Sequence, residues 1–462
     1  MRKAHLFVSC LIALAALPVW GRMPRLTVVI VADGLDTYSI EQMRNEWSEG
    51  GLYTLVERGA EGQCVFDMEV YGGHETTATL LTGELPAVHG YCMDEVFDRT
   101  DRTAHMSVED KRAAGIGTML KVSPRNILSP TLTDMVRLQY GELAQLYAIG
   151  QEAASTIIMA GHAANGCCWL DKQRMQWVTS SYYPKGLPAV ADEVNAAGRI
   201  QQAVNANKSK LLYPYMANEQ VVDLALKLQE SLHLGEDLVP DMLLMEVTTL
   251  PSGAKSDRIV STEHENMYTQ LNTQLGILIS TLQSRLGQAN VDFVLVGRPV
   301  YGIGASFYKS AGMEVLEFDA DRMAALTNAY LMALHGNERW VDGVHGQSVY
   351  LNRSLINRKR MSLREIQEEV AQFIVEFEGV QSAFVASDIH NTVMVDRMSK
   401  RYLGDVVFCL EAGRQLLEKE GKVWDRVVEP HPSSPVYIYS LHHQQLPKRL
   451  KAAELTGIIG NW

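Results

Sequence analysis

The chain has 462 residues, 47% hydrophobic and 21% charged. That is enough apolar material for a large core, arranged as one α/β unit with insertions or as two to three domains. A formal charge of −12 leaves no basic excess to neutralise phosphates, which excludes a general nucleic-acid binder and disfavours an anionic membrane surface.

The chain opens with Arg2 and Lys3, followed by an apolar run from Leu6 to Leu17 and then Val19-Trp20-Gly21. A basic start, a short apolar stretch and a small residue predict a cleaved signal peptide over residues 1–21. The mature chain is then expected in the periplasm or outside the cell. An uncleaved anchor and a lipoprotein built on Cys10 are the competing readings. No later run is long and apolar enough for a transmembrane helix. Past the leader, Cys64, Cys92, Cys167, Cys168 and Cys409 remain. Their number leaves one or two disulfides open, and the absence of a CxxC pair argues against a structural zinc cluster.

Leu26 to Ala32 is a continuous β-branched run ending in Asp33-Gly34, the pattern of a buried parallel strand with a polar residue at its carboxyl end. Met242 to Val247 and Val291 to Val296 repeat it. Between them Glu263 to Leu286 predicts a helix with Leu271, Leu275, Leu278 and Leu282 on one face. Strand, helix, strand implies a parallel sheet with right-handed crossovers. Leu363 to Phe377 predicts an amphipathic helix stopped by Gly379, and Val406–Leu410 and Val436–Tyr439 predict short strands. The stretch 341–410 reads as a smaller inserted lobe between a core over residues 22–340 and a return to that core over residues 411–462.

Several stretches resemble one family when taken in order. Val28 to Tyr38 (VVIVADGLDTY) resembles the first strand and first metal aspartate of the alkaline phosphatase superfamily, and Thr82 to Gly90 (TGELPAVHG) resembles the element that follows its nucleophile helix. Gly115-Ile116-Gly117-Thr118, Ser123 to Leu128, Ala160 to Asn165 and Trp177 to Tyr183 are similar to bacterial periplasmic alkaline phosphatases with a threonine nucleophile, a group close to the type I phosphodiesterases. Tyr350 to Arg353 and Gly404 to Val406 extend the likeness into the later lobe. The resemblance implies an α/β fold: an alkaline-phosphatase-like three-layer sandwich around a mainly parallel sheet, with an inserted smaller lobe. It also implies a two-zinc hydrolase, in which paired metals clamp the attacking and leaving oxygens and activate a threonine hydroxyl.

Matched residue by residue, the implied machinery is mostly missing. Asp33 matches the first metal aspartate. The nucleophile position, nine residues before Thr82, holds Gly73, with His74 beside it. The phosphate-binding asparagine falls at Asp94, and the lysine–arginine pair falls at Glu152 and Ala154. Neither register of Val247 to Lys255 supplies the expected aspartate and histidine, and Arg298-Pro299 stands where an adjacent aspartate–histidine pair belongs. His431 is a possible remnant of the last metal histidine. His74, Thr76 and Thr77 are candidates for a retooled site, against the plainer reading that this polar run caps a helix. His89 and His162 read as structural, and Glu263-His264-Glu265 as a solvated helix face. Arg298 is expected to pair with Asp33, a cation standing in for metal.

The sequence therefore predicts a non-catalytic superfamily member that binds or scaffolds an unknown protein, a glycan or a phosphorylated ligand, with no cofactor expected. The alternative is a retooled metal-dependent phosphomonoesterase or phosphodiesterase, with zinc as its cofactor.

Overall fold

The computed structural model describes residues 23–68, 73–91, 93–251, 262–299, 312, 314–386, 403–411, 414–418, 422–424, 433–442 and 445–460. Residues 1–21, expected to form a signal peptide, and Cys92, Ser252 to Lys255 and His431 lie outside them.

In chain order the strands open with β1 (Leu26–Asp33) and β2 (Ala60–Val65), then a hairpin of β3 (Glu95–Asp98) and β4 (Thr103–Met106). β5 (Gly115–Ile116), β6 (Leu146–Gly150), β7 (Gly166–Asp171), β8 (Gln176–Ser180), β9 (Asp241–Thr248) and β10 (Val291–Arg298) follow. The lobe contributes β11 (Leu316–Asp319), β12 (Val341–His345), β13 (Ser348–Leu351), β14 (Val380–Val385), β15 (Val406–Leu410), β16 (Arg414–Glu418) and β17 (Lys422–Trp424). The chain returns to the core with β18 (Ser433–Tyr439) and β19 (Arg449–Lys451).

The main sheet runs β19-β2-β18-β10-β1-β9-β6-β7-β8-β5. Its centre, β10-β1-β9-β6-β7, is parallel. β18 and β8 join that centre antiparallel. β1 is buried almost end to end because both of its faces are covered. Val28 and Ile30 pack with Leu55, Leu228 and Leu275, whereas Val29 and Val31 pack with Leu81, Ile157 and Leu455. Alternation along the strand thus sends successive side chains to two helical layers, and the three-layer sandwich follows. The helix expected over Glu263–Leu286 spans Thr262–Leu286, with Leu271, Leu275, Leu278 and Leu282 buried.

A third hydrophobic cluster gathers residues from Phe318 to Leu416, a wider span than the 341–410 stretch that stands out in the sequence. Its four-stranded sheet, β12-β13-β15-β14, is tied to the core by the β3–β4 hairpin. Buried Asp405 accepts Arg99 Nη1 at 2.8 Å, Arg353 Nε at 2.7 Å and the Leu351 amide at 2.7 Å. Phe97 packs on Tyr350 with ring centroids 4.4 Å apart. Gly343 fits against the same Phe97 ring, where a Cβ would come within 2.9 Å. The motifs Tyr350 to Arg353 and Gly404 to Val406 are therefore the clamp that docks the lobe.

Disulfides are absent among the described residues. Cys64, Cys167 and Cys168 are buried free thiols, and Cys409 is half-buried. The adjacent pair on β7 belongs to opposite layers, Cys168 to one core and Cys167 to the other.

Candidate functional site

Parallel strands in register end together, so β1, β9 and β10 present Asp33, Thr248 and Arg298 side by side at the carboxyl edge of the sheet. Arg298 is buried and its guanidinium is fully engaged. Nε donates to Asp33 Oδ1 at 3.1 Å. Nη1 donates to Thr77 Oγ1 at 3.2 Å and also to Ser155 Oγ. Nη2 donates to Glu246 Oε1 at 3.2 Å. The expected pairing of Arg298 with Asp33 is thus a direct ion pair, with the arginine buried and the aspartate partly so.

Glu246 and Ser155 are the members of this cluster that sequence reading overlooked, and Glu246 is the charged one. It is the one charged residue in the apolar run Met242–Val247, and a buried charge needs a partner. That is the signal that could have found it. Its second oxygen accepts the amides of Gln151 at 3.1 Å and Glu152 at 2.9 Å. It therefore caps the Ala153–Ala160 helix, whose own N-cap, Glu152, makes no side-chain cap bond. Gly150 permits this approach, since a Cβ there would lie 2.9 Å from the Glu246 carboxylate. Burial pushes the Glu246 carboxyl above its usual range, opposed by Arg298.

Around Gly73 the chain forms a helix, Gly73–Thr82. Thr76 and Thr77 are fully buried, and their hydroxyls donate back to the Gly73 carbonyl at 3.0 Å and 2.7 Å. This differs from the capping expected of the run, because back-bonding satisfies a carbonyl within the helix rather than an N-terminal amide. Asp94 caps instead, accepting the His74 amide at 2.9 Å from 20 residues away. The His74 ring sits 2.7 Å from Ser107 Oγ through Nδ1. Burial lowers its pKa, Asp94 opposes that and Arg298 reinforces it, a balance that favours the neutral imidazole.

The positions matched to the phosphate clamp point elsewhere. Glu152 turns outward to Lys172, 2.7 Å away, and Ala154 is buried in the core. At the end of β9, the Thr249 amide and hydroxyl both bond the Asp33 carbonyl, at 2.8 Å and 3.1 Å.

The structural histidines behave as expected. His89 accepts the Tyr91 amide through Nδ1 at 3.2 Å, which puts its proton on Nε2, 3.0 Å from Thr79 Oγ1. His162 Nδ1 lies 2.9 Å from Asp134 Oδ2, and the same carboxylate accepts the His162 and Ala163 amides. His264 corrects the sequence reading. It is buried, with its ring edge-on to Tyr268 at 5.1 Å, while Glu263 and Glu265 face solvent. Among the described residues, one cluster has the spacing of metal ligands. It comprises Asp98, Asp101 and His105 on the β3–β4 hairpin, where His105 already bonds Asp101 at 2.8 Å and Glu109 at 3.0 Å.

The model of the type I phosphodiesterase / nucleotide pyrophosphatase family matches residues 27–425. The chain belongs to this family. Its members are metal-dependent phosphoric ester hydrolases, within the alkaline phosphatase superfamily. Alkaline phosphatase PafA of Elizabethkingia meningoseptica is 20% identical over 450 residues, covering 86% of this chain and 82% of its own. A protein named calcium-transporting ATPase from Myroides odoratus is 23% identical over 416 residues, covering 78% of this chain and 75% of its own. The crystal structure of wild-type PafA superposes with a TM-score of 0.81 at 17% identity, over 94% of both chains. At that identity the superposition speaks for the fold, an alkaline-phosphatase-like sandwich on a mainly parallel sheet. For this member of the phosphodiesterase family, Asp33, Thr77, Ser155, Glu246 and Arg298 form one connected cluster, whereas Asp94 and His74 form a second around the start of the Gly73–Thr82 helix.

Proposed function

We propose that this family member is non-catalytic and serves outside the cytoplasm as a binding or scaffold protein. The observation that carries the reading is the Arg298 guanidinium bonded to Asp33 at 3.1 Å and to Glu246 at 3.2 Å. A zinc pair needs several oxygen and imidazole donors free to coordinate. Among the described residues at the strand ends, Asp33 already accepts from Arg298, and Thr249 faces a backbone carbonyl. A fixed cation would repel a metal ion here, so this donor set fits an arginine and not a zinc pair. Catalytic groups are equally wanting: Gly73 carries no nucleophile, and the Thr76 and Thr77 hydroxyls are buried and already donating. Asp94 would repel a phosphate dianion, and Glu152, turned outward to Lys172, offers it no cation.

The leader-like sequence over residues 1–21 supports export to the periplasm or beyond. Among the described residues no helix is long and apolar enough to cross a membrane.

The alternative, a retooled phosphoric ester hydrolase, draws on family membership and on Ser107, His74 and Asp94. The Ser107 hydroxyl is 2.7 Å from His74 Nδ1, and Asp94 is 3.7 Å from that same nitrogen. A relay needs nucleophile and orienting carboxylate on opposite ring nitrogens, and Ser107 is fully buried. The geometry therefore favours the binding reading. The deciding experiment is metal analysis of purified chain dialysed against trace zinc, paired with monoester and diester assays. Near-zero zinc and no turnover are expected. About two zincs per chain would sink the reading, and turnover abolished by Asp33→Ala would establish the alternative.

A further inference from the structure

Beside the strand ends, between the start of the Pro214–Leu232 helix and the start of the Thr262–Leu286 helix, lies an open cavity of about 580 Å³. That falls within the ~300–1,000 Å³ common for ligand pockets. It shares no residue with the Arg298 cluster, so it stands whether or not the chain turns over a phosphoric ester.

Its lining has a definite chemistry. Tyr213 and Tyr215 flank Pro214, with their rings nearly parallel at 7° and centroids 6.2 Å apart. The separation is at the wide end for a stacked pair; Tyr213 is exposed, and Tyr215 is half-buried against the core. Asn207, Asn266 and Gln270 add three amide side chains, each able to donate and to accept. Glu263 is the one charged group among the described lining residues, and no lysine or arginine is among them.

The platform is held in place before any ligand arrives. Gln274 Nε2 donates to the Tyr215 carbonyl at 2.9 Å, joining the two helices beneath the rings. One turn along, buried Asn218 bonds the Thr248 amide at 2.9 Å and the Thr248 carbonyl at 2.8 Å. The helix start that carries the tyrosines is thereby fixed to the end of β9. Pre-set aromatic surface lowers the entropy lost on binding.

We infer that this cavity is a saccharide-binding site, taking a neutral oligosaccharide whose ring stacks on Tyr213 and Tyr215. A pyranose offers an apolar C–H face and a rim of hydroxyls. The C–H face fits an aromatic platform, and the rim fits amides and a carboxylate that can serve both its donors and its acceptors. Glu263, the charged group among the described lining residues, repels phosphate esters and uronic acids, which separates this ligand class from nucleotides.

The test is a screen of the purified chain against neutral hexose, hexosamine and deoxyhexose oligosaccharides, followed by calorimetric titration of the tightest one. AMP and choline are titrated alongside. The expected result is binding of a neutral oligosaccharide that Tyr213→Ala and Gln270→Ala each weaken about tenfold, with melting temperature unchanged. Both residues are exposed, so neither substitution threatens the core. Three results would overturn the site: no neutral oligosaccharide bound at millimolar concentration, binding indifferent to both substitutions, or AMP or choline bound with that residue dependence in place of the sugar.

Discussion

Arg298 lies directly opposite Asp33 in the parallel register of β10 and β1, and its Nε reaches the Asp33 carboxylate at 3.1 Å. Backbone pairing brings the two residues together before any side chain acts, so the contact is a property of the sheet. Removing the guanidinium would leave Asp33 and Glu246 as uncompensated neighbours. Arg298→Met should therefore destabilise the fold by about 3–5 kcal/mol, as expected for breaking a buried ion pair from one side. Urea unfolding measures this directly. A loss below about 1 kcal/mol, the worth of a surface pair, would mean the cluster is solvated and the arginine is not a structural cation.

Glu246 should be energetically coupled to Arg298. Alone, Glu246→Gln either keeps an acceptor for the helix amides and turns an amide donor toward the guanidinium, or turns its neutral oxygen to the guanidinium and loses that acceptor. We expect about 1–3 kcal/mol of lost stability from it. In the double variant with Arg298→Met, the neutral amide no longer faces a charge, so the combined loss should fall short of the sum. A double-mutant cycle reads this as coupling on the order of 1 kcal/mol or more. Strict additivity would show that the 3.2 Å contact carries no energy.

Much of this architecture was legible in the sequence because it is periodic. The strand at Leu26, the helix at Glu263 and their parallel order follow from runs of buried side chains. The Arg298–Asp33 pair was also within reach, because both residues end strands that had to be neighbours. Glu246 could be singled out but not placed, since one acid in an apolar run does not reveal which element supplies its partners. The cap on His74 was hidden for a similar reason: it comes from Asp94, 20 residues further on, and no local pattern encodes it. Local pattern also misled at His264. Its neighbours are acidic and exposed, yet its own position on the helix faces Tyr268.

Docking of the lobe should depend on Asp405. This fully buried carboxylate gathers Arg99 from the β3–β4 hairpin, Arg353 from the lobe and the Leu351 amide. Asp405→Ala would strand two arginines at the junction and unpair a backbone amide. It should destabilise the chain by about 3–5 kcal/mol, and limited proteolysis should cut the lobe before the core. Simultaneous degradation of both parts would show that lobe and core unfold as one unit, with Asp405 no special hinge between them.

Two histidines should shape the pH dependence of stability in opposite directions. Burial pulls the His89 pKa down to about 3. A depressed histidine contributes stability that is present above its unfolded value of about 6.5 and is lost as pH falls. Between pH 6.5 and 5 this amounts to about 2 kcal/mol of acid destabilisation. His89→Gln can still accept from Tyr91 and donate to Thr79, and it does not titrate, so its acid limb should be flatter. His162 is raised, chiefly by its hydrogen bond to Asp134. Its contribution is present below about pH 6.5 and fades as pH rises through the folded value. Burial alone would raise the Asp134 carboxyl, but the bonds from His162 and Thr131 leave it below its usual value. The pair is then fully charged between the unfolded values of about 4 and 6.5. His162→Gln should cost about 1 kcal/mol in that window and less above neutrality. Thermal melting of wild type, His89→Gln and His162→Gln from pH 4 to 9 separates the two effects. A His162→Gln deficit that grew toward alkaline pH would reverse the assigned sign and place the stabilising charge on another group.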